Sequence, residues 1–368
     1  MSHGLVIGKF YPPHAGHHHL VRTAAERCDR LSVVVMASSV ESLALADRVA
    51  WMREVHADDP RIAVVGVVDD HPVDYGSDAI WRAHVDLMIA AVDGAPVDVV
   101  FTSERYGDEL GRRLGARHEL IDLDRRTCPI SATAVRADPV GHWWQLAPCV
   151  RGHLALRAVL VGAESTGKTT LAAELAAALQ RRSGAHGATR WVAEVGRDVT
   201  VEKLAARGPG ATIEDLTWAT PDFVAVARRQ AAREDEAARA GGPVVVCDTD
   251  AFATGVWHQR YVGARSDEVE RLAVAAPAHL YLLTDPDDVP FVDDGMRDGA
   301  HLRRWMTDRF VERLEATGRR WRWLRGERDR RRAAALTAID DALADALRFA
   351  PPLGQRGDGR PGPPAVTR

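Results

Sequence analysis

The sequence is nearly without lysine. Of its 48 basic residues only Lys9, Lys168 and Lys203 are lysine, and the rest are arginine. A composition that has replaced lysine almost everywhere still keeps one at position 168, inside a glycine-containing loop. Cysteine is also scarce: Cys28, Cys128, Cys149 and Cys247 are scattered with no Cys-x-x-Cys spacing. Neither a disulfide framework nor a zinc site of the thiolate kind is expected, and the thiols fit a reducing cytosol. No apolar run is long enough to span a bilayer, and the chain passes from Met-Ser-His-Gly straight into a short apolar segment. A membrane partner and a secretory leader are therefore not expected, and the expected location is cytoplasmic. Long blocks of like charge are missing too, and the net charge is −4. A nucleic-acid partner is not expected, and the cluster Arg330 to Arg332 reads as a solvated helix face.

What is present is enough apolar material, 46% of 368 residues, for two cored domains. The segment Ala158 to Leu171 organises the second of them. Gly162, Gly167, Lys168 and Thr169 have the spacing of a phosphate-binding P-loop, preceded by a strand-like run at Ala158 to Val161 and followed by an alanine- and leucine-rich helix. Backbone N–H groups of Gly162, Glu164, Ser165, Thr166, Gly167 and Thr170, together with the helix dipole, would converge on the phosphates of ATP. Lys168 would reach the outer phosphates and the Thr169 hydroxyl would ligate Mg2+.

The first half begins with an apolar run to Ile7 and then Gly8-Lys9-Phe10-Tyr11-Pro12-Pro13-His14-Ala15-Gly16-His17, before a helical spacing at Leu20, Val21 and Ala24. His14 and His17 lie three apart at a helix start, so both imidazoles and the helix dipole can face one anion. As positioned positive donors they would stabilise charge growing on a nucleotide α-phosphate as pyrophosphate departs. Strands at Leu31–Met36, Arg61–Val68 and Val97–Phe101 alternate with helices at about Leu43–His56 and Ser77–Val92, which predicts a parallel, doubly wound sheet with its ligand at the carboxyl ends of the strands. Ser131 and Thr133 offer hydroxyls at a helix start, with Arg136 one turn on: a second phosphate grip or, more simply, a helix N-cap.

These two segments, Gly8-x-Phe10-x-Pro12-x-His14-x-Gly16-His17 and Ile130-Ser131-x-Thr133-x-x-Arg136, together resemble the signatures of nucleotidyltransferases that adenylylate small phosphomonoesters. The segment Val100 to Gly107 is similar to one in the bifunctional NadR-like family, where a nicotinamide-mononucleotide (NMN) adenylyltransferase domain is fused to a P-loop ribosylnicotinamide kinase. The resemblance implies that His14, His17 and Arg136 bind ATP phosphates and stabilise AMP transfer, with Ser131 and Thr133 supporting the same phosphates and Lys9 close to them. Trp81 is the candidate for stacking on a pyridine ring, with a plain core position standing equally beside it. Some members of that family begin with a helix-turn-helix repressor module. Here the first strand starts at about residue 5, so repression is not expected.

In the second half a strand at Thr189 to Ala193 leads to Glu194-Val195-Gly196-Arg197-Asp198, where the NadR-like kinases carry Glu-x-x-Arg-Glu. Glu194 or Asp198 could take the proton of an attacking hydroxyl, and Asp248, further on, is a third candidate for that base. A further strand at Pro243 to Cys247 is followed by Asp248, the expected second magnesium ligand. The acidic segment Asp285 to Asp298 resembles the lid of these kinases, with Arg297 closing on the transferring phosphate. Helices are expected at Val311–Trp323 and Arg332–Leu347.

The expectation is an α/β chain of two doubly wound parallel-sheet domains. A Rossmann-like nucleotidyltransferase domain would span residues 1–150, a P-loop kinase domain 151–350, and a disordered tail 351–368. Its substrates would be ribosylnicotinamide, NMN and ATP, with Mg2+ as cofactor and NAD as final product, in a homo-oligomer or a monomer. The competing readings are another small-phosphomonoester adenylyltransferase fused to a different nucleoside kinase, and an ATP- or NAD-sensing regulator that binds without turnover.

Overall fold

The computed structural model describes residues 1–353 apart from positions 75, 276, 278, 288, 293, 294, 296 and 298. Residues 354–368 of the expected tail and five positions of the acidic segment thus lie outside the described residues. The chain divides into two units, Met1–Val150 with the segment from Leu347 onward, and Arg151–Ala346.

The first unit contains β1 (His3–Gly8), α1 (Ala15–Ala25), β2 (Arg30–Ala37), α2 (Leu45–Val55), β3 (Ile62–Val68), α3 (Asp78–Ala91), β4 (Val99–Thr102), α4 (Gly107–Leu114), β5 (Arg117–Leu120) and α5 (Ala132–Ala137). Its five strands are parallel in the order β3-β2-β1-β4-β5. Side chains alternate across a strand, so the apolar runs of β1 and β2 feed both faces. Val6, Val33 and Val35 meet Leu20, Val21 and Ala24 of α1, while Leu5, Val34 and Met36 meet Trp81, Val85 and Met88 of α3. The segment from Leu347 does not belong to the kinase unit up to residue 350. Within the first unit the Tyr11 hydroxyl donates to the Ala350 carbonyl at 2.9 Å, and the Phe349 ring packs edge-on against Tyr11 at 5.8 Å.

α6 (Pro148–Leu154) leads to β6 (Leu156–Val161). The second unit continues with α7 (Lys168–Gln180), β7 (Arg190–Val192), α8 (Val195–Arg207), α9 (Thr220–Ala240), β8 (Val244–Asp248), α10 (Ala251–Val262), α11 (Asp267–Ala275), β9 (Leu280–Thr284), α12 (Arg303–Ala316), β10 (Trp321–Leu324) and α13 (Arg328–Ala346). The strands are again parallel, in the order β10-β9-β6-β8-β7. In each sheet the first strand of the unit lies in the centre, and the strand order reverses beside it, which opens a crevice at its carboxyl end.

One expected helix is corrected. The helix placed at Val311–Trp323 begins at Arg303 and ends at Ala316, and Trp321–Leu324 is a strand beside β9. Gly318, at φ +62°, turns the chain out of the helix. Among the described residues no helix is long and apolar enough to cross a membrane.

Candidate active sites

In the first unit, β1 ends in the loop that carries Lys9 to His14. His14 is the N-cap of α1: its Nδ1 accepts from the Gly16 N–H at 3.1 Å, while His17 Nδ1 accepts from the His14 N–H at 3.3 Å. The two rings stack at 3.8 Å, and Phe10 sets its edge against His17 at 5.0 Å. Because each Nδ1 accepts, a neutral ring must carry its proton on Nε2. His14 Nε2 is buried without a hydrogen-bond partner among the described residues, as expected of a donor that waits for an acceptor from outside.

The charge state corrects the sequence expectation. Burial, then the nearby Arg125 and Arg136, lower the His14 pKa from 6.5 to about 4. Burial, then His14, hold His17 well below the ordinary range. The imidazoles are therefore neutral N–H donors, and positive charge comes from arginine. Arg136 donates to the Tyr11 carbonyl at 2.7 Å and to the Thr133 hydroxyl at 3.3 Å, so it is braced against the same loop. Ser131 Oγ caps α5 by accepting from the Ala134 N–H at 3.1 Å. Lys9 pairs with Glu41 at 2.9 Å, a carboxylate that also holds buried Arg48 at 2.6 Å. Gly8 leaves room for the Phe10 ring, which a Cβ there would meet at 3.3 Å. Of the two readings of Trp81, the fold places it in the core. The Trp81–Val85–Met88 spacing turns it into the core, with 8% of its surface exposed and the Arg113 guanidinium 5.3 Å above its ring.

A consequence for stability follows. Behind the site, His18 and His56 form a buried pair at 3.1 Å, and burial lowers their pKa values to about 3 and about 4. An unfolded chain protonates these rings below 6.5, whereas the folded chain resists until the lower values. The unfolded state binds more protons in that window, so stability present above 6.5 is lost as the pH falls towards 3 to 4. Thermal melts between about pH 7 and pH 5 should show a falling melting temperature, less steep in a His18→Asn/His56→Asn variant. Equal slopes would contradict this account.

In the second unit, Gly162 (φ +146°), Ser165 (φ +54°) and Gly167 (φ +81°) fold the loop back on itself between β6 and α7. Lys168 is buried, and its Nζ donates to the Ala163 carbonyl at 2.7 Å. Burial lowers its pKa, opposed by Glu194, Asp248 and Glu164. Thr169 Oγ1 donates to Asp248 Oδ2 at 2.5 Å, and Asp248 Oδ1 is buried with no partner among the described residues. A hydroxyl and a carboxylate with an orphaned oxygen form a hard-oxygen donor set, which fits magnesium. Thr166 instead faces inward, bonded to Thr284 at 2.6 Å. Glu164 is held by Arg260 at 2.9 Å and accepts from the Gly299 N–H at 2.9 Å, and Ser165 Oγ accepts from the Val292 N–H at 2.8 Å.

A cleft opens here, lined by the loop from Glu164 to Thr170 and by Glu194 and Arg297. Arg297 donates to the Val292 carbonyl at 2.7 Å. Burial, then Asp248, raise the Glu194 pKa to about 7, and burial also raises that of Asp248. Asp198 is not in this group. Four residues beyond Glu194, it points outward to Arg233 at 2.6 Å. The sequence reading missed the aromatic wall of the cleft, Trp218, Phe223, Trp257 and Tyr261, with Trp218 5.4 Å from Phe223 and 5.7 Å from Tyr261. The only signal was Trp257 and Tyr261 four apart on one helix face.

A cytidylyltransferase-like family model matches residues 5–138 and an AAA-domain model residues 157–331. The trifunctional NAD biosynthesis/regulator protein NadR of Escherichia coli (strain K12) is 26% identical over 329 residues, which cover 85% of this chain and 76% of that protein. The chain is thus similar to NadR proteins over most of its length. NadR of Salmonella typhimurium is 24% identical over 308 residues, covering 80% and 71% of the two chains. The crystal structure of a NadR protein in complex with NR superposes with a TM-score of 0.67 at 22% identity, covering 94% of this chain and 96% of that one. A NadR structure with NAD and AMP-PNP gives 0.67 at 20% identity, covering 98% of both. This NadR-like chain thus joins a nucleotidyltransferase fold to a P-loop kinase fold.

Proposed function

We propose that the chain makes NAD in two ATP-dependent steps: the second unit phosphorylates ribosylnicotinamide to NMN, and the first adenylylates NMN to NAD and pyrophosphate. The observation that carries this reading is the pair of anion-binding loops, each at the carboxyl end of the central strand of its own parallel sheet. The names of the relatives, a NAD biosynthesis protein and NadR complexes with NR and with NAD, support the choice of substrates.

In the kinase step the ribose 5′-oxygen attacks the γ-phosphorus of ATP and ADP leaves. Lys168 and the loop N–H groups would hold the outer phosphates, and Arg297 would cover the transferring group. Thr169 and Asp248 would hold magnesium, which neutralises phosphate charge when bound. Glu194 is the residue to accept the hydroxyl proton, and the aromatic wall would stack on the pyridinium ring. In the adenylyl step a phosphate oxygen of NMN attacks the α-phosphorus and pyrophosphate leaves. The Nε2–H groups of His14 and His17 would donate to oxygens that gain charge, with Arg136 on the outer phosphates.

Glu194 must be ionised to act, so kinase kcat/KM should fall about tenfold per unit below its pKa, about 7 in the unliganded protein. A Glu194→Gln variant should lose most activity and this slope; a wild-type profile flat to about pH 5 would remove Glu194 from the role. The reaction itself is tested by incubating purified protein with ribosylnicotinamide, ATP and magnesium and resolving NMN, NAD, ADP and pyrophosphate. NAD with both by-products is expected. NMN without NAD would assign the first unit another substrate, and no product would favour a sensor.

A further inference from the structure

A second group of chemistry-bearing side chains lies in the first unit, on residues other than those of the His14–His17 loop and of α5. Asp69 follows β3, where its N–H donates to the Ala37 carbonyl at 2.8 Å and fixes it at the carboxyl end of the sheet. His71 is two residues on, and His84 comes from the second turn of α3. Both imidazoles turn Nδ1 to the one carboxylate: His71 is 2.9 Å from Oδ1 and His84 is 2.6 Å from Oδ2. One ligand atom from each of the three residues lies within 4.8 Å of the other two.

The far side of His84 sharpens the reading. Its Nε2 is 3.2 Å from the Pro72 carbonyl, so an acceptor stands at both ends of the ring. A neutral imidazole has one N–H. If Nε2–H serves Pro72, the Nδ1 lone pair faces a carboxylate oxygen, an opposition that a bound cation turns into shared ligation. A ligating histidine commonly donates its other N–H to a backbone carbonyl in this way. The alternative is an imidazolium that donates at both ends.

We infer that Asp69, His71 and His84 form a binding site for a first-row divalent transition-metal ion of the Zn2+ class, which ties the loop after β3 to α3. Two imidazoles and one carboxylate form a donor set that favours such ions over Mg2+ or Ca2+. A tetrahedral zinc ion spaces its donors about 3.4 Å apart, so the group needs only small side-chain rotations to close. The side chains of Asp69 and His84 are 10% and 16% exposed and that of His71 is 46% exposed, so the fourth position faces solvent.

The test uses the full chain stripped by a chelator and titrated with Zn2+ in excess Mg2+, with calorimetry and thermal melting as readouts, then with Co2+ for its ligand-field absorption. One equivalent should bind and raise the melting temperature, and His71→Ala and His84→Ala should each weaken binding by about tenfold or more. If His84→Ala does not fold, half-exposed His71→Ala decides. Wild-type protein that binds no more Zn2+ than the His71→Ala variant, or Co2+ bands unchanged in that variant, would overturn the site and leave an imidazolium–carboxylate cluster only.

Discussion

A Lys168→Ala variant should lose roughly a hundredfold or more in kinase turnover while adenylyl transfer stays within about twofold. The ammonium is buried between Glu194, Asp248 and Glu164, so its removal leaves phosphate charge uncompensated where little water can replace it. Lys168→Arg should fail nearly as badly. The chain uses arginine for almost all its basic positions, but a planar five-donor fork does not fit a narrow loop built for a compact point charge. Separate assays of ADP and pyrophosphate release check both statements.

The mirror experiment is His17→Ala, which should lower adenylyl transfer by roughly a hundredfold or more and spare the kinase. The geometry refines it. Nδ1 of His17 is occupied by the His14 N–H, so the useful donor is Nε2. Glutamine places its amide nitrogen near Nε2, whereas asparagine places it near Nδ1. His17→Gln should therefore retain more activity than His17→Asn, and the reverse order would assign the reacting face to the wrong nitrogen. If either alanine variant, still folded, abolished both reactions, the two-site reading would fail.

Much of this was legible before the structure. The long apolar strands β1, β2, β6 and β8 were readable because they are buried on both faces, and the two glycine-containing loops announced themselves by spacing. β5, Arg-His-Glu-Leu, was not, because an edge strand of polar residues carries no apolar pattern. β10 reads as helix because four residues of Trp-Arg-Trp-Leu, between an arginine-rich helix and a turn, give too short a period to distinguish. Asp198 and Glu194 were equivalent candidates on paper. The first turn of α8 separates them, sending one carboxylate outward to Arg233 and leaving the other, half-buried, on the wall of the cleft.

The sequence by itself determined the two parallel-sheet units, their order and the glycine-containing loop after the central strand of each, because those depend on local periodicity and on fixed spacings within a few residues. Only the tertiary structure decided which carboxylate lines the cleft with Lys168, that the paired histidines are neutral Nε2–H donors, that the segment from Leu347 returns to the first unit, and that Asp69, His71 and His84 converge. Burial and charge state are set by neighbours distant in the chain, and no local pattern records them.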